Sequence, residues 1–298
     1  MNGANGPKIA EGNAIMRIRL ILAATALCVA GHAAIAQELS GTLEKISSTG
    51  IITIGHRESS IPFSYYDKNE KVVGYAMDIC YLIADAVKAK LGLGELEVKL
   101  VPITPSLRIP YVLSEKIDLG CETMTNNLER QKVVAFSSTY FVAANRFVSK
   151  VAANLRTLDD LKGKTVVSTI ASTNLKQISE LNAQRHLGLT ILAAKDNFEA
   201  FRMLESDRAA AVVMDDILLY GLVANSAAPA DYVVSDDALE ALFRNGDINK
   251  IYAKWFLNPI PPNEIRLDVP MSAALKRAIA KPTDSGDPEV YVMRNTAH

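Results

Sequence analysis

From residue 50 onward, short apolar runs of strand period alternate with amphipathic runs of helical period, and that alternation points to an α/β architecture. Gly50-Ile51-Ile52-Thr53-Ile54-Gly55 reads as a strand, and Tyr75–Lys90 as a helix with Ile79, Leu82, Ile83, Ala86 and Val87 on one face. Glu97–Val101 and Lys116–Cys121 read as strands. Pro105–Leu113 is expected to be a short helix capped by Thr104, with Pro105 in its first turn. Asn126–Lys132 opens another helix, Asn126 and Glu129 being spaced as a capping box. Phe136–Lys150 is long and β-rich and reads as a strand crossing between two lobes. A second α/β stretch follows over residues 150–235. Its strands are Thr165–Ser168, Leu189–Leu192 and Ala209–Met214. Leu158–Lys164 is a short helix and turn, and helices are expected at Leu175–Leu181, at Asp196–Glu205, whose Asp196 and Glu199 again have capping-box spacing, and at Asp215–Ala224. Ala241–Phe256 and Met271–Ala280 are the last helical patterns.

The first residues stand apart from this pattern. Met16-Arg17-Ile18-Arg19, the apolar run Leu20–Ala30 and the small-residue motif Ala34-Ile35-Ala36 form a secretory signal peptide, with Met16 as the expected start and cleavage expected after Ala36. The apolar run is short for a membrane span, and no later segment is long and apolar enough for one. Removing the leader takes away Lys8, Arg17, Arg19 and Glu11, and leaves 29 basic and 32 acidic residues. That balance lacks the basic footprint of a nucleic-acid binder. Cys80 and Cys121 remain, which in an oxidising compartment are either a disulfide or two buried thiols.

Polar groups gather where strands hand over to helices. Arg57 follows the first strand, and is either a solvated loop residue or a charge aimed into the crevice at the sheet's carboxyl edge. In Cys121-Glu122-Thr123-Met124-Thr125-Asn126-Asn127-Leu128-Glu129-Arg130, two hydroxyls precede a helix start and Arg130 offers a carboxylate fork; the alternative is an N-cap and a surface arginine. Ala171-Ser172-Thr173 opens a helix in the second stretch, and Asp215 ends a buried-looking strand, where it either receives an ammonium or caps the next helix. One α-amino acid accounts for these groups, with its carboxylate at Arg130 and Thr125 and its ammonium at Asp215. Arg57 and Arg108 are then left over for a second carboxylate.

Gly55-His56-Arg57-Glu58-Ser59-Ser60-Ile61-Pro62-Phe63-Ser64-Tyr65, Thr125-Asn126-Asn127-Leu128-Glu129-Arg130-Gln131-Lys132, Met214-Asp215-Asp216 and Lys254-Trp255-Phe256-Leu257-Asn258-Pro259-Ile260-Pro261-Pro262 resemble the glutamate/aspartate-binding periplasmic proteins of polar amino-acid ABC importers, the family 3 solute-binding proteins. The resemblance covers most of residues 38–280. It implies a periplasmic binding protein-like type II fold, two α/β lobes joined by two crossing strands and closing on the ligand. The implied division is a leader over 1–36, lobe 1 over 37–141 and 241–281, lobe 2 over 142–240, and a tail over 282–298. Arg57 and Arg108 carry over as partners of the ligand's side-chain carboxylate, and Thr123, Thr125 and Arg130 as partners of its α-carboxylate. Thr173 carries over as a second-lobe contact and Asp215 as the ammonium partner, with Ser106 and Asn197 as weaker candidates. The implied partners are glutamate or aspartate and the inner-membrane permease subunits of an ABC transporter, for a periplasmic monomer without cofactor, metal or nucleic acid.

The chain departs from the family pattern at several places. Pro105 stands where a serine is usual, with Ser106 displaced by one. Asn197 stands where a histidine is usual, and Ala171 and Glu122 replace glycines. Ser235-Asp236-Asp237-Ala238-Leu239 runs directly into Glu240-Ala241-Leu242-Phe243, with no apolar run for a second crossing strand; about two dozen residues are expected to be missing near residues 239–240. A gene-model artefact and a non-binding decayed paralogue are both readings of that gap. An enzyme on the same fold, a periplasmic dehydratase, is the competing function, with Glu58, Glu122 and His56 as its candidate acid–base groups. A receptor sensor domain is the third, and no membrane helix follows residue 256 to support it.

Overall fold

A computed structural model of the chain describes residues 39–235, 252–273, 275–276 and 285. The leader, the gap near residues 239–240, most of the Ala241–Phe256 helix, half of Met271–Ala280, and the tail past Pro282 apart from Ser285 lie outside the described residues. Contacts divide the chain at residue 45, and the larger unit runs from Lys45 onward.

β1 (Ile51–His56) is apolar on both faces and almost wholly buried, as a central parallel strand must be. Three short antiparallel strands follow, β2 (Ser59–Ser60), β3 (Ser64–Tyr66) and β4 (Val72–Val73). Helix Tyr75–Leu91 starts at Gly74, whose φ is 140° and where a Cβ would lie 2.1 Å from the Phe63 carbonyl oxygen, so only glycine fits. Lys88 and Lys90 in its last turn complement the helix dipole. β5 (Glu97–Pro102) and β6 (Leu119–Cys121) flank β1 in parallel, giving a sheet of order β5-β1-β6. Beneath it pack Ile46, Ile52, Ile54, Met77 and the Cys80–Cys121 disulfide.

The second sheet has order β11-β7-β10-β8-β9. β7 (Asn145–Lys150) runs antiparallel to β10 (Ala211–Asp215) and to β11 (Tyr232–Val234). β8 (Thr165–Thr169) pairs in parallel with β10 and with β9 (Thr190–Ala194). Successive residues of β10 serve opposite faces: Val213 packs with Phe147, Val166 and Ile178, and Val212 with Val148, Val167 and Phe201. The latter cluster also takes in Phe63, Tyr75, Trp255 and Phe256, so one apolar core touches both sheets' surroundings. Gly221 of helix Asp216–Ala224 approaches so closely that a Cβ there would lie 2.6 Å from the Ile61 carbonyl oxygen.

Several elements differ from expectation for identifiable reasons. The helix expected over Pro105–Leu113 begins at Arg108, after a turn closed by the Leu107 N–H to the Thr104 carbonyl. Pro110 has no N–H, and starting at Arg108 leaves it in the first turn, where none is needed. The helix expected from Asn126 is a three-residue 3-10 turn, Arg130–Lys132. Asn127, not Asn126, accepts the Arg130 N–H, and the Glu129 carboxylate is taken by Lys176 at 3.0 Å instead of reaching back as a capping box. At Asp196 the cap itself forms, accepting the Glu199 N–H at 2.8 Å, while Glu199 reaches the Lys195 N–H. Continuous pairing in the crossing stretch begins only at Asn145; before it, the chain is held by the Tyr75 hydroxyl on the Tyr140 carbonyl.

Candidate functional site

The carboxyl ends of β1, β6, β8 and β10 deliver their following residues to one cleft. A cavity of about 30 Å³ is lined there by Arg57, Pro105, Arg108, Thr123, Thr125, Thr173, Asn197 and Asp215, with Thr169, Ser172 and Asn174 beside them. Of the residues singled out by sequence, Ser106 is exposed, and Pro105 takes its place in the wall. Arg130 reaches the cleft from its 3-10 turn, donating to the Thr125 carbonyl at 2.9 Å and to the Ala171 carbonyl at 3.2 Å.

Arg57 and Arg108 are 3% and 6% exposed, so their charges need a partner. Both face Glu122, itself 3% exposed, whose Oε2 lies 3.3 Å from Arg108 Nη1 and 3.7 Å from Arg57 Nη1. Burial lowers the Arg57 pKa, Glu122 opposes that shift, and Arg108 adds to it. Burial likewise brings Arg130 down to about 10, with Arg108 contributing. Arg108 also donates to the Ala171 carbonyl at 2.9 Å, so that one carbonyl collects two guanidiniums. Ala171 presents it from a left-handed conformation, φ 57°.

Helix Thr173–Arg185 closes the site from the other side. Its N-cap Ser172 accepts the Leu175 N–H at 3.0 Å, leaving Thr173 to meet Thr125 hydroxyl to hydroxyl at 3.0 Å. Asp215 ends β10 and makes no side-chain capping bond; its Oδ1 accepts from Asn174 Nδ2 at 2.8 Å. Of the two roles open to Asp215, this arrangement leaves the carboxylate free of the cap and aimed at the cleft. Burial pushes its carboxyl up to about 6, against the pull of Asn174. Asn197 accepts from Thr169 at 3.0 Å and donates to Ser60 at 3.3 Å, tying the second sheet's edge to β2.

The candidate acid–base groups do not form a catalytic set. Glu122 is held by the two arginines, and Glu58 is exposed. His56 is buried, with Nδ1 3.1 Å from the Arg57 carbonyl and its pKa lowered by burial. Asn174 and the Ala171 carbonyl are the site groups that sequence reading did not single out. The Ser172 cap motif, which puts Asn174 in the first turn of its helix and within reach of Asp215, was the available signal.

A cleft of this kind, donor-rich at one end and acidic at the other, fits a small zwitterion. The L-glutamate/L-aspartate-binding protein of Pseudomonas aeruginosa is 43% identical over 296 residues, spanning 90% of this chain and 98% of that protein. Its alignment is longer than the roughly 268 residues of this chain that it occupies, a difference of about 28 positions. The glutamate/aspartate import solute-binding protein of Escherichia coli is 38% identical over 267 residues, 82% of this chain and 88% of that one. The solved structure of holo ArgBP from T. maritima superimposes with a TM-score of 0.58 at 32% identity, covering 66% of this chain and 82% of that one. These neighbours share the type II periplasmic binding-protein fold, two α/β lobes around a cleft. The matching family model takes in residues 52–258, from β1 through the Trp255-Phe256 anchor, and the chain belongs with the bacterial extracellular solute-binding proteins, family 3.

Proposed function

We propose that this chain captures glutamate or aspartate outside the cytoplasmic membrane and hands it to the permease subunits of an ABC importer. The observation that carries this reading is the convergence of Arg57, Arg108, Thr123, Thr125, Thr173 and Asp215 on one cavity. In the proposed pose the α-carboxylate meets Thr123, Thr125 and Arg130, the ammonium meets Asp215, and the side-chain carboxylate meets Arg57 and Arg108. The names of the Pseudomonas and Escherichia relatives support the ligand class. The lobes are taken as 37–141 with 241–281, and 142–240, which keeps β1–β6 apart from β7–β11. The leader is taken to be cleaved after Ala36, releasing a periplasmic monomer, and among the described residues no helix is long and apolar enough to cross a membrane. Calorimetric titration of the chain from Gln37 with glutamate, aspartate and glutamine tests the reading. Heat with either acidic ligand, saturating at one per chain, is expected; silence with all three overturns it.

A further inference from the structure

The carboxylate of Glu122 sits between the two arginines assigned to the ligand's acidic side chain. It is held there from both ends. Cys121, immediately before it, is wholly buried and bonded to Cys80, and the Glu122 carbonyl accepts the Tyr140 hydroxyl at 2.6 Å. A glutamate side chain entering this corner must share Arg57 and Arg108 with a fixed, buried like charge. A carboxamide meets no such repulsion and still finds donors.

We propose that Glu122 is a specificity-determining residue, a built-in counter-ion that competes with the ligand's side-chain carboxylate and so flattens the preference for acidic over carboxamide amino acids. This rests on the reading of the cleft given under Proposed function. A like charge beside the incoming carboxylate is the repulsive half of a specificity device, and removing it favours the acidic ligand alone. Glu122→Gln keeps the volume and removes the charge; Glu122→Gly removes both.

The test measures dissociation constants for glutamate and glutamine on the parent chain and on both variants, with thermal melts alongside. In the parent, the two ligands are expected to differ by less than about tenfold. In Glu122→Gln and Glu122→Gly, glutamate should tighten by about tenfold or more, while glutamine moves by less than about threefold. Without ligand, both variants should melt lower than the parent, and added glutamate should raise their melting temperatures more than the parent's. If the parent binds glutamate and neither variant changes the glutamate-to-glutamine ratio, the counter-ion role is overturned and the binding function stands. If no protein binds either ligand and glutamate shifts no melt, both fail together. If Glu122→Gly does not fold, Glu122→Gln alone decides by the same ratio.

Discussion

At Asp215, the proposed ammonium partner, folding and binding are expected to pull in opposite directions. Its carboxyl lies at about 6, raised chiefly by burial. A folded pKa above the ordinary 3.8 means that the native state holds the proton more tightly than the unfolded chain. Ionised Asp215 therefore lowers stability at neutral pH, and that loss is recovered as pH falls from about 6 towards 3.8. An ammonium ligand needs the ionised form, so amino-acid affinity should be full above about 6 and fall, approaching tenfold per pH unit, below it. Asp215→Asn should abolish binding yet stabilise the ligand-free protein at pH 8 by on the order of 1–3 kcal/mol. Calorimetric melts and titrations of the variant check both halves, and a ligand-free variant less stable than the parent would count against the first. Sequence made this residue legible because a carboxylate at the end of a buried strand has few destinations. It did not show where Glu122 points, because its partners Arg57 and Arg108 come from two other segments and meet it only once β1 and β6 pair. The chain belongs to a family that binds solutes rather than transforming them, and the buried triad fits that: Glu122 Oε2 faces two guanidiniums and, among the described residues, no second titratable acid or base.

The elements that carry the site are set by their first residues. The turn from β8 into helix Thr173–Arg185 requires Ala171 at φ 57°, where a Cβ is unfavourable. Ala171→Gly should stabilise the protein by about 0.5–1 kcal/mol, the relief of the left-handed conformation exceeding the extra freedom of the unfolded chain. Urea titration reads this directly, and a destabilised variant would mean that the methyl group contributes packing here. The Cys80–Cys121 disulfide ties helix Tyr75–Leu91 to β6 across a sequence separation of 41 and so fixes the strand that presents Glu122, Thr123 and Thr125. Replacing both cysteines by alanine should cost ~2–4 kcal/mol, and reductant should lower the melting temperature of the parent but not of the variant. The central strands β1, β5, β6, β8, β9 and β10 and helices such as Tyr75–Leu91 were legible from period alone, whereas the two- and three-residue strands β2, β3, β4 and β11 are too short to show one. The short starts at Arg108 and Arg130 were not, because Pro110 shifts one and Lys176, far along the chain, draws Glu129 away from the other.

For the molecule as a whole, closing on a ligand depends on how the two lobes are joined. The first connection is well anchored: the Tyr140 carbonyl accepts from Tyr75, and Phe141 stacks on Tyr252 and Phe256 with centroids 6.1 and 4.9 Å apart. The described backbone leaves the second sheet at Ser235, beyond β11, and resumes at Tyr252 against the same aromatic cluster. In between, the sequence has no apolar run for a return strand. Over its whole match, the Pseudomonas relative has about 28 aligned positions more than this chain uses. A ligand shifts an open–closed equilibrium only through contacts that differ between the two states, and two strands define one closure axis where a single strand leaves several. Apparent affinity falls by the fraction of molecules able to close, and lost strand burial draws on a stability that is only ~5–15 kcal/mol in a typical domain. We therefore predict that the chain binds glutamate measurably, but more weakly than a chain with both crossings would, despite its assembled cleft. A family-like return strand inserted between Leu239 and Glu240 should raise both melting temperature and glutamate affinity. Micromolar or tighter binding by the chain as it stands, unchanged by the insertion, would show that the single anchored crossing near Tyr140 and Phe141 is hinge enough.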